Sequence, residues 1–172
     1  MFTLIIGGSG SGKSLLAETL AVRSKLPRLY VATMEPTDEE GHRRIARHRL
    51  QRAGKGFDTL ECYTGLAEAV SGMERQGVVL LECMSNLLAN EMFSPMGGGS
   101  EAVLMGVEWL LERCDDLVIV TNEVFSGGTE YEGDTLRYMR ELAGINRVLA
   151  QRADVVVEVL CGLPNVLKGE LP

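Results

Sequence analysis

The chain has 172 residues, 45% of them apolar and 24% charged, with a formal net charge of −7. That length suffices for one domain with a buried core, and the acidic balance speaks against a broad nucleic-acid-binding surface. No uncharged apolar run approaches the roughly 20 residues that a membrane span needs. Cys62, Cys83, Cys114 and Cys161 are far apart with no C-x-x-C pair, so reduced thiols in a cytoplasmic protein are expected, not a disulfide framework or a metal site.

The first predicted element is a strand over 2–6, Phe2-Thr3-Leu4-Ile5-Ile6, so no secretory signal is expected. Directly after it stands Gly7-Gly8-Ser9-Gly10-Ser11-Gly12-Lys13-Ser14. This is the phosphate-loop pattern G-x-x-x-x-G-K-[ST] between a strand and a helix, the setting it requires. Glycines let backbone N–H groups wrap around phosphate oxygens, and the positive end of the next helix faces the anion. Lys13, expected as an exposed charge on the loop, can reach the β- and γ-phosphates, and the Ser14 hydroxyl can hold Mg²⁺. The chain reads as a nucleoside-triphosphate binder.

A helix over 13–24 follows, then a strand over 28–32 that ends at Thr33. The next helix, 38–52, has acids first and bases last, which suits the helix dipole. At 3.6 residues per turn Arg44, His48 and Arg52 share one face, and His42 falls on another. An imidazole between guanidinium groups can attack phosphorus while the guanidiniums bind phosphate oxygens. A solvated basic helix with an incidental histidine has the same pattern.

A strand over 59–62 and a helix over 66–73 lead to the apolar strand 78–82, which closes on Glu82. In phosphate-loop proteins such a strand usually ends in Asp, which holds Mg²⁺ directly or through water; here the acid is Glu. A strand-end charge that simply meets solvent has the same pattern. Helices follow over 84–92 and 101–114, joined by a Gly-rich connection, 94–100, expected to be flexible. A strand over 117–121 ends at Asn122 and Glu123, either of which could touch nucleotide, metal or acceptor, or simply form a turn or cap a helix. The segment 125–133 reads as a loop or lid over the site. An amphipathic helix over 134–152 and a strand over 155–160 complete the pattern.

Alternating strands and helices predict an α/β fold: a P-loop NTPase-like (RecA-like), mostly parallel sheet with helices on both faces, all 172 residues forming one nucleotide-binding domain. Ligands then gather beyond the carboxyl ends of the strands, where Thr33, Glu82 and Asn122 stand beside the phosphate loop.

Together these segments resemble the bifunctional adenosylcobinamide kinase/adenosylcobinamide-phosphate guanylyltransferase family of cobalamin biosynthesis. The phosphate loop with Ala17-Glu18, Tyr30-Val31-Ala32-Thr33, and Glu40, Arg44, Ile45 and His48 on the basic helix are in register with it. So are Leu80-Leu81-Glu82-Cys83 with Asn90, Val120-Thr121-Asn122-Glu123-Val124, the helix carrying Ala143-Gly144, Asn146 and Leu149-Ala150, then Ala153-Asp154, Gly162-Leu163-Pro164 and Leu167-Lys168. Two segments depart from it: Arg52-Ala53 with Phe57 stands for the family's Arg-Pro-x-x-Trp, and Phe125 to Tyr131 replaces its Gly-x-Gly-Ile-Val-Pro stretch.

The resemblance implies that His48 becomes covalently guanylylated by GTP, and that ATP or GTP phosphorylates adenosylcobinamide. It makes His48 and Lys13 the catalytic candidates and Ser14 and Glu82 the Mg²⁺ ligands. Candidates for nucleotide contact are Gly7, Gly8, Ser9, Gly10, Ser11, Gly12, Lys13, Ser14, Thr33, Arg44, Arg52, Glu61, Glu82 and Asn122. A homo-oligomer is implied, a trimer being the first candidate. The rival readings are a phosphate-loop small-metabolite kinase without guanylyltransferase activity and a non-catalytic nucleotide-dependent regulator.

Overall fold

The structure, a computed structural model, describes residues 1–125 and 131–171. Strand β1 (Phe2–Gly7) carries Leu4 and Ile5, both fully buried, on opposite faces. It pairs in parallel with β5 (Cys114–Asn122) on one side and β6 (Val155–Leu160) on the other. Strand β2 (Arg28–Ala32) lies between β3 (Phe57–Glu61) and β4 (Gln76–Glu82), and β4 pairs with β5, all in parallel. A short strand β7 (Leu163–Lys168) adds antiparallel to β6, giving the order β3-β2-β4-β5-β1-β6-β7.

Burial on both faces explains the Val/Ile/Leu-rich strands. Leu80 and Leu81, neighbours in β4, are fully buried in opposite clusters, and each contributes about 1.5–3 kcal/mol on burial. On one face, β1, β4 and β5 pack under α3 (Leu66–Ser71), α4 (Met84–Phe93), α5 (Gly99–Arg113) and α6 (Gly133–Arg152). On the other, Ile5, Tyr30, Leu80 and Val120 pack under α1 (Lys13–Arg23) through Ala17 and Leu20. No helix among the described residues is long and apolar enough to cross a membrane.

Helix α2 (Glu39–Arg52) is unlike the rest, because within it only Arg52 is buried. Its start is fixed by Asp38, whose side chain accepts the Gly41 N–H at 2.6 Å. Glu39 and Glu40 in the first turn and Arg49 and Arg52 in the last complement its dipole.

The elements depart from the sequence expectation at a few places. β5 begins at Cys114, paired with Gln76, so no loop separates it from α5. β3 is shifted toward Phe57 by its pairing with Arg28. The segment 94–100 is tied rather than loose: buried Glu91 accepts the Gly65 and Gly98 N–H groups at 2.7 and 2.8 Å, and α5 already starts at Gly99. β7 was not expected, since all six residues are exposed and it contains Pro164. An edge strand needs no apolar alternation and tolerates proline. Of the expected loop 125–133, residues 126–130 lie outside the described residues.

Candidate active site

The site lies at the carboxyl ends of the strands. Register places Ala32 of β2 opposite Glu61 of β3 and Glu82 of β4, and Gly7 of β1 opposite Asn122 of β5. The phosphate loop leaves β1 and enters α1 through Gly12, whose φ of 96° is left-handed. Gly7 is sterically required, because a Cβ there would meet Ser11 Oγ and the Val159 carbonyl at 2.7 Å each.

Lys13 is not the exposed charge the sequence suggests. It is only 8% exposed, and its Nζ donates to the Gly8 carbonyl at 2.8 Å. Burial is the largest influence on the ammonium and lowers its pKa; Cys83 and Glu82 oppose this, and Arg44 adds to it. A triphosphate on the loop would add negative charge beside the ammonium and favour its charged form.

Glu82 is the hub. One carboxylate oxygen, Oε1, accepts a hydrogen bond from the Ser14 hydroxyl and stands 3.9 Å from His48 Nδ1. The other, Oε2, accepts from the buried Tyr30 phenol at 2.6 Å. Burial first, then the charge and hydrogen bond of Glu82, push the Tyr30 pKa well above its ordinary value. Tyr30 therefore remains a donor at any physiological pH. The Arg52 guanidinium carbon sits 3.4 Å from the Tyr30 ring centroid, a cation–π contact. His48 Nδ1 is buried without a hydrogen-bond partner among the described residues.

A cavity of about 440 Å³ joins these groups, within the usual size of a small-molecule site. Ser9, Gly10, Ser11, Gly12, Lys13, Ser14, Thr33, Arg44, His48, Arg52, Glu61, Glu82 and Asn122 all line it. Gly7 and Gly8 are the candidates that do not, and Gly8 acts through its carbonyl on Lys13. The shared face of Arg44, His48 and Arg52 does point at the phosphate loop, whereas His42 is exposed and off the cavity.

Three candidates have protein partners of their own. The fully buried Thr33 hydroxyl accepts from the Cys83 N–H at 2.7 Å and donates to its carbonyl at 2.8 Å, lacing β2 to the end of β4. The Asn122 amide donates to Ser85 Oγ at 2.7 Å. Glu61 pairs with Arg49 and accepts from the Tyr63 hydroxyl at 3.2 Å.

Sequence reasoning passed over Tyr30, Arg49, Tyr63, Cys83 and Asn86, which also line the cavity. For Tyr30 a signal exists: it lies an even number of positions before the strand end and so faces the same side as the site. Tyr30→Phe should keep the stacked ring but leave one oxygen of a buried carboxylate without its donor. A loss of about 1–3 kcal/mol in urea unfolding is expected; parent-like stability would show that the bond is not structural.

A family model, cobinamide kinase / cobinamide phosphate guanyltransferase, matches residues 3–167. The chain belongs to this family. Two curated members are similar over nearly their full lengths. The bifunctional adenosylcobalamin biosynthesis protein CobP of Pseudomonas aeruginosa is 36% identical over 175 residues, covering 99% of each chain. The bifunctional adenosylcobalamin biosynthesis protein CobU of Escherichia coli K12 is 32% identical over 185 residues, covering 98% of this chain and 100% of that one. Solved structures share the fold at low identity. A Pyrococcus horikoshii OT3 protein has a TM-score of 0.54 at 13% identity, covering 98% of this chain and 86% of its own. The RadB recombinase has a TM-score of 0.50 at 15%, covering 91% and 73%. The phosphate-loop, RecA-like reading of the cobinamide kinase fold agrees with the latter likeness.

Proposed function

We propose that this enzyme phosphorylates adenosylcobinamide with ATP or GTP and then transfers GMP from GTP to the resulting phosphate through guanylyl-His48. The observation that carries this reading is the meeting of Ser14 and His48 at one carboxylate oxygen of Glu82. It sets an imidazole against the place where the loop would hold a triphosphate.

In phosphoryl transfer, the acceptor hydroxyl oxygen attacks the γ-phosphorus and the nucleoside diphosphate leaves. Lys13 and the loop N–H groups hold and neutralise the phosphates, while Arg44 closes the cavity from α2. In guanylyl transfer, an imidazole nitrogen of His48 attacks the α-phosphorus and the bond to pyrophosphate breaks. A phosphate oxygen of adenosylcobinamide phosphate then attacks the same phosphorus, the P–N bond breaks, and adenosylcobinamide-GDP leaves with His48 restored. Dividing the transfer into two displacements lets a neutral nitrogen, rather than a second anion, meet the triphosphate first.

The oxygen donors Ser14 and Glu82 suit Mg²⁺, which prefers hard ligands and shares them with substrate phosphates. Among the described residues no group of three or more His, Cys, Asp or Glu gathers, so Ser14 and Glu82 would share the ion with the nucleotide and water. When bound, Mg²⁺ supplies charge neutralisation at the phosphates. Glu82→Gln should lower Mg²⁺-dependent turnover at least roughly tenfold, yet bind metal-free nucleotide as well as the parent, because a negative charge beside the phosphates is gone. Unchanged Mg²⁺ dependence would exclude the role.

The test of the whole reading uses adenosylcobinamide as acceptor. Label from γ-labelled ATP or GTP should appear in the corrinoid first, and α-label from GTP only after that phosphorylation. Transfer of γ-label without any α-label would leave a kinase alone.

A further inference from the structure

A helix that carries a nucleophile must be held in place, and α2 has little apolar surface for that purpose. Its Leu50 is 77% exposed and only Arg52 is buried. Its carboxyl end is instead seated on polar groups. Arg52 stacks on Tyr30, and Lys55, just past the helix, reaches α1, where its Nζ lies 2.5 Å from Glu18 Oε2. Glu18 is fully buried, one turn after Ser14 on the same helix, and its Oε1 has no hydrogen-bond partner among the described residues. The backbone of Lys55 is caught as well: Arg28 donates to its carbonyl at 3.0 Å while also donating to the Ala21 and Ser24 carbonyls at the end of α1, at 3.1 and 2.8 Å.

We propose that Glu18 is a positioning residue for guanylyl transfer: by holding Lys55 it sets where α2 stands over the phosphate loop, and so where the His48 imidazole meets the α-phosphate. This rests on the reading of His48 as nucleophile. A buried carboxylate whose cation moves away is left uncompensated, so the pair favours one placement of Lys55 over its neighbours. That end of α2 is the fixed end, and His48 lies one turn before Arg52. The γ-phosphate groups Lys13, Ser14 and Glu82 belong to α1 and β4, and α2 adds only Arg44, a closing contact and not a reacting group, so phosphoryl transfer depends less on the placement of α2 than attack by His48 does.

The test compares the parent with Glu18→Gln and Lys55→Arg for the rate of guanylyl-protein formation at saturating GTP, for phosphoryl transfer to adenosylcobinamide, and for the thermal midpoint. In Glu18→Gln, labelling should slow roughly a hundredfold, the cost of displacing a reacting group by about 1 Å, while phosphoryl transfer falls far less and the midpoint stays near the parent's. Lys55→Arg, which keeps the cation, should retain labelling. The double variant Glu18→Gln/Lys55→Met leaves no unpaired charge and should also label slowly while folding as the parent does, so poor folding of a single variant does not decide the matter. Equal losses in both activities, a labelling loss that tracks a lowered midpoint, or unchanged labelling in folded Glu18→Gln would overturn the proposal. A parent that never labels would overturn the His48 reading instead, before any variant is compared.

Discussion

His48→Ala is expected to eliminate covalent guanylylation, to below a thousandth of the parent rate, while γ-phosphoryl transfer remains measurable. Loss of a nucleophile leaves no alternative route through the same intermediate, and such losses reach factors of roughly 10⁶ where the residue does the chemistry. Among the described residues no other histidine lines the cavity, since His42 is exposed on another side of α2. The fold should tolerate the change. Among the described residues His48 Nδ1 has no hydrogen-bond partner, so removing the ring strands no donor or acceptor there. His42→Ala should label as the parent does. A His48→Ala protein that still becomes guanylylated would place the nucleophile elsewhere.

Lys13→Ala is expected to depress both activities, by roughly 10²–10³-fold in turnover, the usual effect of removing one preorganised charge or donor from a developing anion. On the proposed reading both reactions place a triphosphate on the same loop, so the losses should move together, unlike those of His48→Ala. Burial already disfavours the Lys13 ammonium in the free protein, where its Nζ donates to the Gly8 carbonyl. Removing it should therefore leave the urea midpoint close to the parent's. A Lys13→Ala enzyme that uses GTP or ATP at the parent rate would refute the assignment of the loop.

What was legible in the sequence was what local geometry dictates. The phosphate loop can be read because its backbone shape restricts residue types, as Gly7 and Gly12 show directly. Glu82 can be read because a carboxylate ending an apolar strand stands out, and the Arg44–His48–Arg52 face because helical spacing is fixed. Long-range pairing was not legible. Tyr30 looks like an ordinary core residue of β2, and only the register with β4 brings its hydroxyl to Glu82. Glu18 looks like a surface acid on α1 until Lys55, far along the chain, is seen to lie against it. Lys13 looks exposed because the sequence does not tell how closely α2 and β4 cover the loop. The Thr33 hydroxyl, a nucleotide candidate by position, is spent on the Cys83 backbone for the same kind of reason.

The central claim, that His48 carries the guanylyl group, is tested most directly by the intact mass of the parent protein after incubation with GTP and Mg²⁺. The expected result is the gain of one guanylyl group per chain, lost in mild acid and retained in base as a phosphoramidate would be, and mapped to the peptide containing His48. No mass gain under conditions where GTP demonstrably binds, or an adduct mapped to another residue, would contradict it.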